Sequence, residues 1–398
     1  MEPNPASPAD FRSLFPILRE KVYLNSCSQG ALAEPVEASL REFIASWHVH
    51  GNPWELWCER MEELRGEFAA LIGADADEVA VTFSASTALN AVASALDPRR
   101  RSRVVTSDFD FPTVGHVWLA QARRGLETEF ASAEGDALPL SAFEAVIDSS
   151  TALVSTTHVC YRNGWKNDVR QLAGMAHAHG APLLIDAFQS IGTEPINVRE
   201  LGVDMLVTGT LKYLLGSPGV AFLYVRRDLA EDLLPADSGW FAQRNPFAYD
   251  VHHLDYADGA RRFQSGSPPV PAVYAALAAL GLLRQVGLEA VHAHVEKLAG
   301  IVVEQARQRG WELMTPAEPE RRGPLVMLRC REVETLLSAL AERGILCSTR
   351  DGALRTSFHY YNSADDVSAL IEALDDNGGL MRLGPAPGRE PAIHWRQG

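Results

Sequence analysis

The chain of 398 residues contains few cysteines, and they form no pattern that predicts disulfides or a metal centre. The five cysteines are an odd number and include no CxxC pair, which is typical of a reduced cytoplasmic protein. Residues 1–10 lack the cationic start and the apolar centre of a signal peptide. No segment approaches the roughly 18 uninterrupted apolar residues that a membrane-spanning helix needs. These absences predict a cytoplasmic protein without a metal or a membrane partner.

The sequence also has too little positive charge for a nucleic-acid-binding surface. Lysine and arginine total 36 against 51 aspartates and glutamates, so the formal net charge is -15. Such a balance favours solubility and argues against a nucleic-acid partner, although a small anion can still bind through local donors. The hydrophobic content of 46% is ordinary for a globular protein. The length allows one large domain and a smaller one.

Short apolar runs alternate with helical patterns from about residue 79 onwards. A helical stretch such as Asp168–His179 begins on a good N-cap residue and stops at Gly180. This alternation predicts a mostly parallel sheet covered by helices, with ligands bound beyond the carboxyl ends of the strands. The predicted strands are Val79–Phe83, Arg103–Ser107, Ala152–Thr156, Pro182–Asp186, Met205–Thr208 and Val220–Val225.

Four regions are predicted along the chain. Residues 1–20 are expected to form a loose arm, and residues 21–280 the large domain. Residues 281–380 are predicted to form a small C-terminal α/β domain, to which the N-terminal segment contributes. Residues 381–398 carry Gly, Pro and Arg without periodicity, which predicts a disordered tail.

A lysine and an aspartate follow two apolar strands in the segment 183–225. Asp186 ends one strand, and the next strand ends just before Lys212. Pyridoxal 5′-phosphate (PLP) requires both groups, since the amine forms an imine with its aldehyde and the carboxylate keeps its pyridine nitrogen protonated. Taken alone, Asp186 is more often a strand-end cap and Lys212 more often a surface lysine. The apolar and glycine-rich neighbours of Lys212 favour the functional interpretation.

The motif D-A-x-Q-S-x-G from Asp186 and the motif K-[YW]-L-x-G-x-P-G from Lys212 resemble those of the class V aminotransferase family. These fold-type I PLP-dependent enzymes include cysteine desulfurases, kynureninases, isopenicillin N epimerases and C–S lyases. The resemblance runs from Tyr23 to about Asn362. It implies an α/β fold with a mostly parallel seven-stranded sheet and a smaller C-terminal α/β domain. It also implies that Lys212 carries PLP as a Schiff base, that Asp186 pairs with the pyridine nitrogen, and that Gln189 approaches the ring hydroxyl.

Small hydroxyl residues at the start of a predicted helix are candidates for holding the cofactor phosphate. The segment 82–96 runs from a strand end into such a helix, where backbone N–H groups and hydroxyls can bind an anion. A plain Ser/Thr N-cap would leave the same local pattern. By resemblance to the family's phosphate loop, and from their place beside the lysine, the candidate phosphate contacts are Ala85, Ser86, Thr87, Thr208 and Thr210.

Two further segments resemble cofactor-binding parts of the family. The run R-F-Q-S-G-S-P at 262–268 is similar to R-F-E-x-G-T-P, which implies that Ser267 reaches the phosphate of a neighbouring subunit. A homodimer with active sites at the interface follows from this assignment, although a Gly/Ser/Pro turn fits the local sequence equally well. Phe111-Pro112-Thr113 is similar to the F-P-[TS] of kynureninases, whose Phe stacks on the ring. A core Phe is the alternative.

The substrate end of the predicted site needs a carboxylate clamp. Arg355 begins a match to the family's R-x-S-x-x-x-Y-N, whose arginine binds the α-carboxylate of an amino-acid substrate. Asn25 is a second candidate from the N-terminal segment. His158 and Tyr161 occupy a loop that lies near the ring in relatives. An aromatic-rich patch at 47–57 fits either a side-chain pocket or dimer packing.

Departures from the family patterns narrow the reaction. The region before Arg355 is too short for the loop that carries the nucleophilic Cys of cysteine desulfurases, and Cys347 falls within a predicted strand. Val114 and Leu211 replace an Asp and a Tyr expected in kynureninases. Both activities are therefore disfavoured.

The shared chemistry leaves several reactions open. Lys212 is predicted to remove the Cα proton as general base, after which elimination, transamination or epimerisation can follow. We predict a β-eliminating lyase that cleaves a C–S bond of a cysteine-derived substrate. The alternatives are a class V aminotransferase, an epimerase or a kynureninase-like hydrolase. A non-catalytic PLP-fold binding protein is disfavoured by the complete set of Lys212, Asp186 and Arg355.

Overall fold

The computed structural model describes residues 7–384 and contains one large sheet and two small ones. Most strands lie where apolar runs predict them. The strands are β1 (Val22–Tyr23), β2 (Val79–Thr82), β3 (Arg103–Ser107), β4 (Glu127–Ala131), β5 (Thr151–Thr157), β6 (Leu183–Asp186), β7 (Met205–Gly209), β8 (Ala221–Val225), β9 (Leu325–Arg329), β10 (Ile345–Leu346), β11 (Ser348–Arg350) and β12 (Ala353–Ser357).

Helices follow most strands, and several begin at a side chain that accepts a hydrogen bond from the first turn. The side chain of Asp168 caps one helix by accepting a hydrogen bond from the N–H of Gln171. The side chain of Ser363 caps another by accepting from the N–H of Asp366. The α-helices are α1 (Pro8–Ser13), α2 (Glu34–His50), α3 (Trp54–Ile72), α4 (Ala85–Ala95), α5 (Pro112–Ala120), α6 (Leu140–Glu144), α7 (Val169–Ala178), α8 (Val198–Leu201), α9 (Arg227–Asp232), α10 (Val270–Val286), α11 (Leu288–Arg309), α12 (Val333–Glu342) and α13 (Ala364–Asp376).

The large sheet has seven strands in the order β2-β8-β7-β6-β5-β3-β4. Only β8 runs antiparallel to its neighbours, β2 and β7, and the remaining pairs are parallel. The predicted fold class is therefore confirmed. Every residue of β6, β7 and β8 is buried, because helices cover both faces of a parallel sheet and leave its central strands without a wet side.

The edge strand β4 was not predicted from the sequence. Its residues Glu127–Ala131 alternate between exposed and half-buried positions and end in one buried alanine. An edge strand pairs on one side only, so it needs fewer apolar residues than the central strands. Because β4 is polar, it contains no apolar run from which a strand could be predicted.

The small C-terminal unit contains an antiparallel sheet in the order β11-β12-β9. The N-terminal segment joins this unit, since β1 pairs in parallel with β10 and Asn25 bridges to Ser357. The substrate-end candidates Asn25 and Arg355 are thereby brought near each other, since Asn25 bridges to the residue two positions after Arg355 on β12. The predicted boundaries at 280 and 380 remain predictions.

The N-terminal arm that was expected to be loose is packed in its described part. Phe11 of α1 and Phe15 are buried among aromatic side chains, and Arg12 forms an ion pair with Asp366 at 2.7 Å. Two buried aromatic rings and a partly buried ion pair hold the segment against the small unit, which the proline-rich composition did not reveal. Of the predicted tail, Met381 is buried and bridges to Cys330, while residues 385–398 lie outside the described part of the chain.

No single helix within residues 7–384 combines the length and the apolar composition that crossing a membrane requires. The pair α10 and α11, bent by 80° at Gly287, passes that test by length and composition only.

Candidate active site

A cavity of about 370 Å³ opens at the carboxyl ends of the parallel strands. This is the place where the strand order predicts a ligand. Asp186 ends β6, Gln189 lies in the turn after it, and the loop after β7 contributes Lys212. The start of α4 and the turn before α5 form other walls. The predicted site residues that line the cavity are Ala85, Ser86, Phe111, Tyr161, Asp186, Gln189 and Lys212.

Lys212 and Asp186 are both buried, and burial controls their protonation. Burial lowers the pKa of Lys212 to about 8, although the carboxylate of Asp186 acts in the opposite direction. Burial likewise raises the pKa of Asp186, while the N–H of Phe188 and the lysine cation counter it. For each group, desolvation therefore destabilises the charged form more than the opposite charge of the other group stabilises it. A cationic pyridine ring beside Asp186 would favour its ionised form.

Close backbone packing fixes the loop that carries Lys212. The N–H of Gly30 donates to the carbonyl oxygen of Leu211 at 2.7 Å, and a Cβ at Gly30 would lie 2.4 Å from the Lys212 carbonyl oxygen. On the other side Gly192, with a φ of +97°, approaches the Tyr213 carbonyl equally closely. Only glycine permits such contacts. The lysine backbone is therefore clamped between two distant segments.

The residues around the cavity fit PLP. The Oε1 atom of Gln189 is buried and has no hydrogen-bond partner within the described residues, while its Nε2 donates to the Cys27 carbonyl at 3.0 Å. A buried polar atom without a partner is costly, so a ring hydroxyl placed there would satisfy it. Asp186 and Lys212 supply the carboxylate and the amine that the same cofactor requires.

The start of α4 is suited to the phosphate end. Ser84, the N-cap of this helix, accepts from the N–H of Thr87 and lines the cavity together with Ala85 and Ser86. The remaining N–H groups of the first turn lack helical partners, and the helix dipole favours an anion there. Thr87 lies outside the cavity, because its N–H is used by the cap and its side chain turns to the next groove.

The aromatic walls of the cavity come from three loops. Phe111 is 43% exposed, and its ring meets that of Tyr161 edge-on with centroids 5.0 Å apart. The Nζ atom of Lys212 lies 5.8 Å from the Phe111 ring centroid and 4.5 Å from that of Phe188. A flat conjugated ring attached to this nitrogen would therefore meet aromatic surface.

Arg355 on β12 is a buried cation that forms no ion pair with any carboxylate of residues 7–384. Its three nitrogens donate to neutral oxygens: Nε to Ser348 Oγ at 3.1 Å, Nη1 to the Tyr161 carbonyl at 3.0 Å and Nη2 to Ser28 Oγ at 2.7 Å. A buried guanidinium is normally paired, because desolvating an unpaired charge is expensive. This arrangement is suited to receiving an anionic ligand.

The family model described as Aminotransferase class-V matches residues 36–370. The chain belongs to the class-V aminotransferase family. It is accordingly a PLP enzyme of this family, as its motifs predict. It is 40% identical to the "Uncharacterized aminotransferase YcbU" of Bacillus subtilis (strain 168), over 92% of this chain and 97% of the relative. It is 28% identical to a kynureninase of Bacillus anthracis, over 90% and 88% of the two chains.

Solved structures share the fold at lower identity. The apo cysteine desulfurase from Thermococcus onnurineus NA1 superposes with a TM-score of 0.85 at 23% identity, covering 95% of this chain and all of that one. The cystine C–S lyase C-DES, solved with its reaction product cysteine persulfide, gives 0.83 at 21% identity, covering 93% of this chain and 100% of that one. These likenesses confirm the fold-type I architecture.

Several residues predicted from the family lie outside the cavity of this class-V enzyme. The Thr210 hydroxyl donates to the Ser217 carbonyl at 2.7 Å, and the Thr208 hydroxyl is fully buried beside the Gly209 carbonyl. Both hydroxyls therefore already donate hydrogen bonds to backbone carbonyls. His158 does not line this cavity: its Nδ1 pairs with Ser190 Oγ at 3.0 Å, and it lines another cavity.

Ser267 and Asn25 also stand outside the cavity. Ser267 is exposed on the loop before α10, so a role toward a neighbouring subunit remains a prediction. Asn25 lies next to Ser357 on the small sheet, and its Oδ1 is 4.0 Å from the Cys27 sulfur. Neither residue contacts the cavity within its own chain.

Besides the N-cap Ser84, three residues at this class-V site were missed by sequence reasoning. The Ser28 hydroxyl accepts a hydrogen bond from Arg355, and the Cys27 carbonyl accepts one from Gln189. Both belong to the same N-terminal motif as Asn25, which was the available signal. Phe188 occupies the variable position of the D-A-x-Q motif, so pattern matching passed over it. Within residues 7–384, no group of three or more His, Cys, Asp or Glu residues is arranged to hold a metal.

Proposed function

We propose that this enzyme binds PLP at Lys212 and acts as a β-eliminating lyase that cleaves a C–S bond of a cysteine-derived amino acid. The observation that carries the proposal is the presence of two buried cations: Lys212, whose pKa burial lowers to about 8, and Arg355, which forms no ion pair with an acid of residues 7–384. Lys212 is suited to a proton-transfer role and Arg355 to holding a carboxylate.

Lys212 performs the proton transfer at Cα of the substrate. A desolvated amine with a pKa near the operating pH can both accept and release a proton, which is the requirement for general acid–base catalysis. PLP, when bound, supplies an electron sink for the charge left at Cα. Asp186 holds the proton on the cofactor nitrogen, and Gln189 and the first turn of α4 orient the cofactor.

Arg355 orients the substrate by its α-carboxylate. The guanidinium donates to Ser348, Ser28 and the Tyr161 carbonyl, which hold its plane in one position. A planar donor held in this way favours a bidentate carboxylate. Hydrogen bonds to Ser28 and Ser348 involve hydroxyls, which can rotate to accommodate the arriving anion.

The composition of the cavity wall favours sulfur as the leaving atom. Among the described lining residues Asp186 is the only carboxylic acid and no histidine is present, so the proton donors of the wall are Lys212, the phenol of Tyr161 and aliphatic hydroxyls, none of which is a strong acid. A thiolate, whose parent thiol has a pKa of about 8.5, leaves without the strong acid that a hydroxyl requires. Phe83, Phe111 and Phe188 offer aromatic surfaces that sulfur contacts favourably.

The experiment supplies the purified protein with PLP and then with S-substituted cysteines. We expect equal amounts of pyruvate, ammonia and released thiol, with the cofactor unchanged after many turnovers. A Lys212→Ala variant should release none of these products. Turnover of an amino acid without pyruvate and thiol would contradict the lyase assignment.

A second candidate is an aminotransferase, because the relative at 40% identity carries that description. The same incubation distinguishes the two. Transamination converts the cofactor stoichiometrically to its amine form and yields a 2-oxo acid that retains the substrate's sulfur. Failure of the protein to bind PLP at residue 212 would remove both candidates and revive a binding protein without turnover.

A further inference from the structure

Asp186 and Gln189 belong to one short turn, 186–190, which begins where β6 ends. Under the proposed function Asp186 contacts the cofactor nitrogen and Gln189 contacts its ring hydroxyl. Because the two residues are so close along the chain, a movement of this backbone displaces both side chains. A residue that fixes the turn therefore acts on two cofactor contacts at once.

His158, which directly follows β5, bonds to both ends of this turn. Its backbone N–H donates to the carbonyl oxygen of Asp186 at 2.9 Å, and its ring Nδ1 pairs with Ser190 Oγ at 3.0 Å. Ser190 is the residue directly after Gln189. A single residue therefore spans the turn from its carboxylate end to its amide end.

The imidazole of His158 is the donor in its bond to Ser190. The Ser190 hydroxyl donates to the Ala187 carbonyl at 3.2 Å, so its oxygen accepts the proton of Nδ1. Burial lowers the pKa of His158 to about 4, so the ring is neutral at pH 7 and carries one N–H. Nε2 has no hydrogen-bond partner within residues 7–384, and His158 lines a second cavity with Lys166 and Glu194. The ring therefore has its one N–H bonded to Ser190.

The backbone of His158 is itself fixed by Asn167. The His158 carbonyl accepts from the N–H of Asn167 at 2.9 Å, and Nδ2 of Asn167 donates to the Thr157 carbonyl at 2.8 Å. Oδ1 of Asn167 accepts from Nε1 of Trp165 at 3.0 Å. His158, Asn167 and Ser190 are all buried, where a polar group left without its partner is costly. The imidazole is therefore held in one place, as a residue that positions another must be.

Resting on the proposed function, we propose that His158 is a positioning residue that holds the turn 186–190 so that Asp186 and Gln189 face the cofactor together. The Asp186 end is also held by the pairing of β6 with β5 and β7. The Gln189 end lies beyond the strand, so the bond from the imidazole to Ser190 matters most there. Loss of the imidazole leaves the backbone bond to Asp186 in place and acts on the contact made by Gln189.

The test measures PLP binding to three variants of the full chain: His158→Leu, Ser190→Ala and His158→Asn. We expect His158→Leu and Ser190→Ala each to raise the dissociation constant of PLP roughly tenfold, because each breaks the same buried hydrogen bond. Both should also change the visible circular dichroism of the bound cofactor, which reports its orientation. His158→Asn keeps a side-chain N–H that can donate to Ser190, so it should recover most of the affinity and the wild-type spectrum.

Ser155→Ala is the matched control for loss of a buried bond from a ring N–H to a serine. Ser155 on β5 accepts from Nε1 of Trp118 at 3.0 Å, and neither residue lines the cavity. The control should lower the thermal stability of the apoprotein, as Ser190→Ala does. It should leave the PLP dissociation constant within about twofold of wild type and the visible spectrum unchanged, because it is remote from the turn.

A double variant tests whether Ser190 acts through Gln189. Once Gln189 is replaced by Ala, adding Ser190→Ala should weaken PLP binding little further, since the contact that the turn positions is already lost. The inference is overturned if Ser190→Ala behaves like Ser155→Ala, or if the losses from Gln189→Ala and Ser190→Ala add in full. If wild type itself binds no PLP, the proposed function fails and not only this inference.

Discussion

His359 donates a hydrogen bond from Nε2 to the carbonyl oxygen of Tyr213 at 2.9 Å. The tautomer follows from the other ring nitrogen, because Nδ1 accepts from the N–H of Tyr360 at 2.8 Å and so carries no proton. Burial lowers the pKa of His359 to about 4, which keeps the ring neutral at pH 7. A residue of the small unit therefore holds the carbonyl group of the residue that directly follows Lys212.

Replacing His359 with Ala is expected to destabilise the protein and to loosen the lysine loop. Leaving the buried Tyr213 carbonyl without its donor costs about 1–3 kcal/mol in the free energy of unfolding. The loop movement should also shift the pH midpoint of the bound-cofactor absorbance, and His359→Gln, which retains an N–H donor, should recover part of that shift.

His294→Ala is the matched control, because His294 Nε2 also pairs with a backbone carbonyl, that of Asn362, at 2.8 Å. It is expected to cost stability without shifting the absorbance midpoint. Equal shifts in the two alanine variants would refute a specific link between His359 and the lysine loop.

Arg355→Lys should weaken substrate binding while PLP binding is retained. A lysine keeps the charge but cannot hold a carboxylate with two parallel donors. The charged hydrogen bonds involved are each worth about 1.5–3 kcal/mol, so KM is expected to rise ten- to a hundredfold. On the neighbouring strand Arg329 is paired with Asp136 and Glu312, and Arg329→Lys should leave KM unchanged. An unaltered KM in Arg355→Lys would contradict the clamp.

Asp110 predicts a pH dependence of stability. Burial raises the pKa of this carboxyl to about 7, and its Oδ1 has no hydrogen-bond partner within the described residues. Between the ordinary value of 3.8 and about 7 the folded state binds more protons than the unfolded state, so stability falls as the pH rises through this window.

The Asp110→Asn variant, which cannot ionise, should lose less stability between pH 5 and pH 8 than wild type does. Urea unfolding of both proteins at the two pH values measures this difference. Asp186 is present in both proteins, so its own titration largely cancels in the comparison. Parallel losses in wild type and variant would show that Asp110 does not titrate as the structure predicts.

Cys347 is expected to take no part in catalysis. Burial raises its pKa to about 12 and also raises the pKa of Cys330, so neither thiol forms an appreciable amount of the nucleophilic thiolate near pH 8. Cys347→Ala should retain the elimination rate within about twofold. Iodoacetamide at pH 8 should label Cys347 far more slowly in the folded protein than in urea. A persulfide found on Cys347 after turnover would revive the desulfurase assignment.

Mixing two inactive variants tests the shared active site implied by Ser267. If this exposed residue reaches a neighbour's phosphate site, Ser267→Trp should bind PLP poorly, and Lys212→Ala cannot attach it. A mixed dimer would contain one pocket with an intact lysine and an intact serine, so activity absent from either parent should appear. No recovery, or a monomer in sedimentation, would count against the shared site.

Local sequence was sufficient to predict most strands of the large sheet and to bring Asp186 and Lys212 together. The apolar runs that end in Asp186 and precede Lys212 predicted two neighbouring strands, and side chains at their carboxyl ends meet at one edge. The polar edge strand β4 escaped because one-sided pairing demands little hydrophobicity. The predicted phosphate loop lacked Ser84, which lines the cavity with Ala85 and Ser86, because an N-cap and an anion site use the same residue types.

Other features depended on contacts between residues far apart in the chain. The hydroxyl of Thr210 donates to a backbone carbonyl, and the ring of His158 pairs with the hydroxyl of Ser190. A sequence motif identifies a residue but does not give the direction of its side chain. Likewise, only the folded chain brings the ring of Phe188 into the cavity wall, 4.5 Å from Lys212 Nζ.

By itself the sequence determined the alternating α/β pattern, the family motifs and the lysine–aspartate pair, because each of these is written in residues that are neighbours along the chain. Only the tertiary structure decided that Arg355 is buried without an acidic partner among residues 7–384, and that His359 bonds to the loop of Lys212. Those properties arise from packing the N-terminal segment, the large sheet and the small unit together, and burial and hydrogen bonding across such distances leave no local pattern.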